Sequence, residues 1–157
     1  MNIIIKLFVT LFYVGNLKKI PGTFGSLFSL ILLFPFFYFK FFSIEIFIFI
    51  FVFIFLISLY FIEIYSKILN KHDSNTIVID EFLGIYLIYL FYEKIYFFNN
   101  FFTICLIFIV FRFYDIKKIY PANIIDKKIK NSFGVILDDI VAAIYTIVTL
   151  YLITHYV

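Results

Sequence analysis

Long apolar runs separated by short charged stretches organise this chain. A helix needs roughly 20 apolar residues to cross the hydrocarbon core of a bilayer, about 17 to 25 being usual. Residues 41–62 meet that requirement, interrupted only by Glu45 near one end. Residues 24–39 are apolar but shorter, and Pro35 is placed to kink a helix that its neighbours must accommodate. Residues 80–98 are apolar after Asp80-Glu81 but contain Glu93 and Lys94, and residues 100–114 lead through Arg112 to Asp115. Residues 135–157 start with the Asp138-Asp139 pair, which is expected to open a helix, and continue apolar. Residues 3–14 are too short to span and are expected to form a buried or re-entrant segment. The pattern predicts an all-α, polytopic membrane helical bundle of about five spans plus this short N-terminal apolar segment, in a single domain over residues 1–157.

Composition excludes a soluble domain. The chain is 65% apolar and 15% charged, with mean hydropathy +1.11, against about 45–50% and 25% for soluble globular proteins. Its 26 Phe and 13 Tyr, with abundant Ile, Lys and Asn, are residues of A/T-rich codons, so no function is read into them. A net charge of +3 without a basic stripe gives no nucleic-acid signature. The single cysteine, Cys105, cannot form an intrachain disulfide and reads as helix packing. Lys6 is followed by no small-residue cleavage site, so the first fifteen residues do not read as a removed signal peptide.

Charge also orients the bundle. The longer polar stretches 15–23, 63–79 and 115–134, with the adjoining Arg112, hold ten of the 13 Lys and Arg residues. The short turns near 40–44 and 93–100 hold only Lys40 and Lys94, and Lys6 is ambiguous. Lys and Arg accumulate in cytoplasmic loops, which puts the longer loops in the cytoplasm and the C-terminal end, with His155, on the far side.

Only ten acids occur, and two adjacent pairs fall at the cytoplasmic mouths of apolar segments: Asp80-Glu81 and Asp138-Asp139. A carboxylate at the centre of a membrane helix costs about 3 kcal/mol, so such groups face cations or one another. One reading is helix capping, worth about 0.3–1 kcal/mol at the positive end of the dipole. The other is a metal site, because crowded carboxylates need a cation between them. Hard oxygen donors without a Cys or His cluster suit Mg2+ better than zinc. Arg112 and Asp115 share a helix face, either as a private ion pair or as a phosphate-binding fork beside a metal-holding acid. Lys118 adds a second cation.

In Pro21-Gly22-Thr23-Phe24-Gly25-Ser26, the two glycines permit backbone N–H groups to converge on an anion, making Gly22, Thr23, Gly25 and Ser26 candidates for phosphate binding. A simple turn capped by Thr23 or Ser26 is the plainer alternative, and no Gly-Lys-Ser/Thr follows that would make a Walker A loop. His72-Asp73 is either a surface loop pair or a ligand and proton-transfer pair. Glu45, Glu63 and Glu93 lie near span ends and are expected to be solvated.

Taken in order, these strings resemble the phosphatidylglycerophosphatase A family of bacterial membrane phosphatases. The resemblance covers most of the chain: Pro-Gly-Thr-Phe-Gly-Ser at 21–26, His72-Asp73, Ile-Val-Ile-Asp-Glu-Phe-Leu-Gly at 77–84, and Phe-Arg-Phe-Tyr-Asp at 111–115. Lys118, Pro121 and Asp126 follow, then Gly-Val-Ile-Leu-Asp-Asp-Ile-Val-Ala at 134–142. It implies Mg2+-dependent removal of the terminal phosphate of phosphatidylglycerophosphate, giving phosphatidylglycerol, and with the Lys/Arg bias the site is expected on the cytoplasmic side of the bacterial inner membrane. Two loop positions depart from the family: Lys118-Ile-Tyr-Pro121 replaces Lys-Pro-x-Pro, and Asn131-Ser132 replaces Gly-Gly.

The expected mechanism is metal-assisted hydrolysis of a phosphate monoester. Asp80, Glu81, Asp138 and Asp139 hold Mg2+, Arg112 and Lys118 stabilise the transferring phosphoryl group, and Asp115 is a ligand or general base. Without a Cys or His nucleophile motif, direct attack by water is favoured over a covalent intermediate. The rival class is a non-enzymatic cation transporter or channel lined by the acids. Against it, the acids cluster at one membrane face, whereas a transporter needs polar groups near the midplane.

Overall fold

The computed structural model describes residues 3–17, 19–71 and 74–156, and all regular structure among them is helical. The helices are α1 (Ile3–Val9), α2 (Pro21–Tyr38), α3 (Ile44–Leu69), α4 (Ile79–Leu90), α5 (Tyr92–Ile95), α6 (Asn100–Lys117), α7 (Ala122–Lys128) and α8 (Ser132–Tyr156), with a 3-10 turn at Val14–Asn16. Helices α2, α3, α4 with α5, α6 and α8 run alternately between two ends of a bundle. One end gathers the starts of α2, α4 and α8 with the end of α6. The other gathers the end of α2, the start of α3 and α5. There Tyr92 Oη donates to Asn100 Oδ1 at 2.9 Å, tying in the start of α6.

Three helices are long and apolar enough to cross a membrane: α2, α3 and α8, of 18, 26 and 25 residues. The protein is therefore an α-helical membrane bundle, and the expected five spans appear as three long helices plus two passes of another kind. Helix α4 has only 12 residues, about 18 Å at 1.5 Å each, and ten of them are buried. A short apolar helix of that length is a core element, and α4 is covered by α2, α3 and α8. It gives way at Phe91 to the single turn of α5, which completes the pass. Helix α6 carries Arg112, Asp115 and Lys117 in its last turns, and Arg112 and Asp115 line the cleft described below while Lys117 is exposed.

The core closes around α4 through close approach and paired hydroxyls. A Cβ on Gly84 would lie 2.9 Å from the Phe111 ring of α6 and 3.2 Å from the Asp139 carbonyl of α8, so the missing side chain lets three helices meet. Tyr89 Oη donates to the Leu30 carbonyl at 3.0 Å and Tyr86 Oη to the Phe47 carbonyl at 3.1 Å. Each buried hydroxyl is thus satisfied while its ring fills the core. The seven residues of α1 span about 10 Å, too little to cross a bilayer. This helix packs on α3, with Phe8 edge-on to Phe61 at 5.2 Å. The Val78 N–H donates to the Val9 carbonyl at 3.1 Å, fastening the N-terminal segment beside the start of α4.

Two boundaries differ from expectation in ways that matter to the site. Helix α3 runs past residue 62 to Leu69, supported by a Glu63–Lys67 pair at 3.2 Å and ended by Asn70 in the left-handed conformation. Helix α8 begins at Ser132, so Asp138 and Asp139 are its seventh and eighth residues and do not open it.

Candidate functional site

Helix ends place the acids. Asp80 and Glu81 sit in the first turn of α4, with the Glu81 N–H donating to Asp80 Oδ1 at 3.0 Å. Asp139 enters from the second turn of α8. Carboxylate oxygens of Asp80, Glu81 and Asp139 all lie within 4.8 Å of one another, and the three residues are only 8%, 8% and 4% exposed. Dipole effects fade within the first turn of a helix, so Asp139 is too deep in α8 to act as a cap.

Arg112 stands beside this group. Its Nη1 is 3.8 Å from Glu81 Oε1, is hydrogen-bonded to Asp115 one turn on, and donates to Ser26 Oγ at 3.4 Å. Ser26, fully buried, donates in turn to the Gly22 carbonyl at 2.8 Å. Glu81 Oε2 and Arg112 Nε are buried and have no hydrogen-bond partner among the described residues. An orphaned carboxylate oxygen among two further carboxylates is the donor set a divalent cation completes, and an orphaned guanidinium N–H suits an incoming anion.

Lys118 forms a second constellation. It caps the C-terminus of α6 at φ 42°, where its N–H reaches the Tyr114 carbonyl at 2.9 Å. Its Nζ donates to Asp126 Oδ1 at 2.6 Å and to Asp138 Oδ2 at 2.7 Å. Burial disfavours the ammonium, but the two carboxylates outweigh it and hold its pKa above the usual lysine value. Both constellations line one cleft of about 430 Å³, which opens between the start of α2, the end of α6, α7 and the start of α8.

Most of the residues singled out by sequence meet here. Asp80, Glu81 and Asp139 converge as expected for a cation site. Asp138 stands apart from them, because adjacent helical residues project about 100° apart and its carboxylate turns to Lys118. Asp115 is engaged by Arg112, which makes it an anchor for the guanidinium.

The Gly22–Ser26 stretch is the first turn and a half of α2: the Thr23 and Phe24 N–H groups both donate to the Ile20 carbonyl, at 3.1 and 3.3 Å, while Gly22 and Thr23 line the cleft. Gly25 instead admits Val78, 2.8 Å from where its Cβ would be, and Ser26 holds Arg112. His72 and Asp73 lie outside the described residues. His155 stacks on Tyr151 at 4.0 Å at the opposite end, as does the exposed Lys40–Glu93 pair at 2.6 Å. Sequence reasoning gave no role to Asp126, although it stands in the ordered motif eight residues beyond Lys118.

Comparison with known proteins identifies the family. A family model described as Phosphatidylglycerophosphatase A matches residues 7–154. A Phosphatidylglycerophosphatase A of Haemophilus influenzae is 30% identical over 142 residues, covering 90% of this chain and 83% of the relative. One from Escherichia coli K12 is 28% identical over 138 residues, covering 87% of this chain and 76% of the relative. No solved structure matches.

Proposed function

The chain belongs to the phosphatidylglycerophosphatase A family of phosphatases, and we propose that it removes the terminal phosphate monoester of phosphatidylglycerophosphate in a Mg2+-dependent hydrolysis, leaving phosphatidylglycerol. The observation that carries this reading is the convergence of Asp80, Glu81 and Asp139 within 4.8 Å beside Arg112, at one end of a membrane bundle. At helix ends, a lipid phosphate can enter the cleft while its acyl chains stay in the bilayer.

Asp80, Glu81 and Asp139 would hold the ion, with the orphaned Glu81 Oε2 as a ready donor. A bound Mg2+ supplies charge screening for the phosphate and lowers the pKa of a coordinated water. Arg112, fixed by Asp115 and Ser26, presents its remaining N–H donors to the phosphoryl oxygens. Lys118 adds a further N–H as negative charge shifts to the equatorial oxygens. Water attacks phosphorus, the bond to the glycerol oxygen breaks, that oxygen takes a proton, and inorganic phosphate leaves.

The cleft end carries the Lys-rich loops, so we place it at the cytoplasmic face of the bacterial inner membrane. A cation pathway is the weaker reading: α3 carries Glu45 and Glu63 only towards its ends, leaving no chain of acids across the bundle among the described residues. Phosphate release by the purified protein from phosphatidylglycerophosphate, phosphatidic acid and a soluble phosphate monoester, with and without Mg2+, tests the proposal. Turnover of the first lipid that stops in chelator and returns with Mg2+ is expected. Full turnover in excess chelator, or none on any lipid phosphate, overturns it.

A further inference from the structure

Lys118 is gripped by two acids from different elements, Asp126 on α7 and Asp138 on α8, at 2.6 and 2.7 Å. An ammonium has three N–H donors, so two acceptors fix its direction and leave one donor over. The side chain is 30% exposed and lines the cleft, so the spare donor has access to whatever enters. A free lysine loses much rotamer entropy when it engages a ligand, and here that ordering is already present before substrate arrives. The two carboxylates also cancel the lysine's charge, leaving the unit formally at −1. Lys118 therefore cannot act by long-range attraction, and its value lies in a directed hydrogen bond.

We propose that Asp126 and Asp138 are positioning residues that hold the Lys118 ammonium with its third N–H directed at a phosphoryl oxygen, and that Asp138 belongs to this unit and not to the metal shell. The inference rests on the phosphatase reading. A directed donor that counts only as charge shifts in the transition state affects kcat more than KM. The competing assignment, in which the partnerless Asp138 Oδ1 is a metal donor, predicts lost cation affinity.

The test uses Asp126→Asn, Asp138→Asn, Lys118→Met and the Lys118→Met/Asp126→Asn double variant, with Asp139→Asn as the metal-shell reference. Asp126 is 36% exposed in its side chain, so its substitution leaves the fold intact. Readouts are kcat and KM on phosphatidylglycerophosphate, and Mn2+ binding by electron paramagnetic resonance without substrate. Both Asn variants should lose about tenfold or more in kcat with KM and Mn2+ affinity within about twofold of wild type. Asp126→Asn should cost less than about twofold further once Lys118 is Met, because coupled residues are not additive. Wild-type kcat in Asp126→Asn, full additivity in the double variant, or weakened Mn2+ binding in Asp138→Asn overturns the inference. If wild type binds Mn2+ but releases no lipid phosphate, the phosphatase reading itself falls.

Discussion

Glu81 lies directly against the backbone of Gly22, its Oε1 filling the space that a single carbon at position 22 would need. The same carbon would come 3.3 Å from Arg112 Nη1. Gly22 lies in a helix with negative φ, so the requirement is room and not conformational freedom. The start of α2 is thereby locked to the acid pair of α4 and the cation of α6.

Gly22→Ala should accordingly damage the site more than the fold. The buried Glu81 carboxylate must swing away, loosening both the three-acid group and its contact with Arg112. A loss of about tenfold or more in kcat/KM is expected, with higher Mg2+ needed for half-activation and normal protein level in the membrane. Measurement of kcat/KM against Mg2+ concentration decides it; an unchanged Mg2+ requirement would detach Glu81 from the cation.

Arg112→Lys retains the charge and removes the planar fork. A lysine cannot hold Asp115, Ser26 and Glu81 together and still present further N–H groups to a phosphate. Activity should fall about 100-fold, mostly in kcat, in steady-state assays on phosphatidylglycerophosphate. Near-normal turnover would mean that charge alone suffices and that the Ser26 contact is incidental.

The orientation of the bundle follows from charge and can be read chemically. With Cys105 replaced, single cysteines at Asn75 and Lys128, both exposed at the cleft end, should resist an impermeant thiol reagent in intact cells and react after permeabilisation. A cysteine at Phe98, 87% exposed at the opposite end, should react in both. The reverse pattern would put the cleft outside the cytoplasm.

The membrane class and the placement of acids at one end were legible in the sequence because each rests on composition or strict order along the chain. The expectation for 80–98 holds as a pass, but a hydropathy run cannot show that α4 is wrapped by protein and stops at Leu90. Asp138 and Asp139 looked equivalent because they are adjacent in sequence, whereas consecutive helical residues project about 100° apart. Within α8 one turns towards Lys118 and the other towards Glu81 and Asp80. Close approach at Gly22 and Gly25 was not legible in the sequence, because the side chains that crowd them, Glu81 and Val78, come from the distant start of α4. Asp126 could not be assigned a role from sequence, because its partner Lys118 reaches it only through the left-handed turn at the end of α6.

Asp139→Asn separates metal binding from helix capping. Asn is about as good a cap as Asp, so a capping role predicts almost no effect. The position of Asp139, eighth in α8, already argues against that role, whereas Asp80 in the first turn of α4 retains it as an alternative. Replacing either carboxylate with an amide keeps size and most hydrogen bonds but removes a charge from the three-acid group. Turnover at saturating Mg2+ should fall about 100-fold or more in both variants, with unchanged membrane level, and direct Mn2+ binding should weaken in step. The two measurements have to move together, because a carboxylate that only capped a helix would leave turnover and cation affinity almost unchanged when replaced by Asn. If both Asn variants bind Mn2+ and turn over like wild type, the acids are structural, and the cation site has to be sought elsewhere in the cleft.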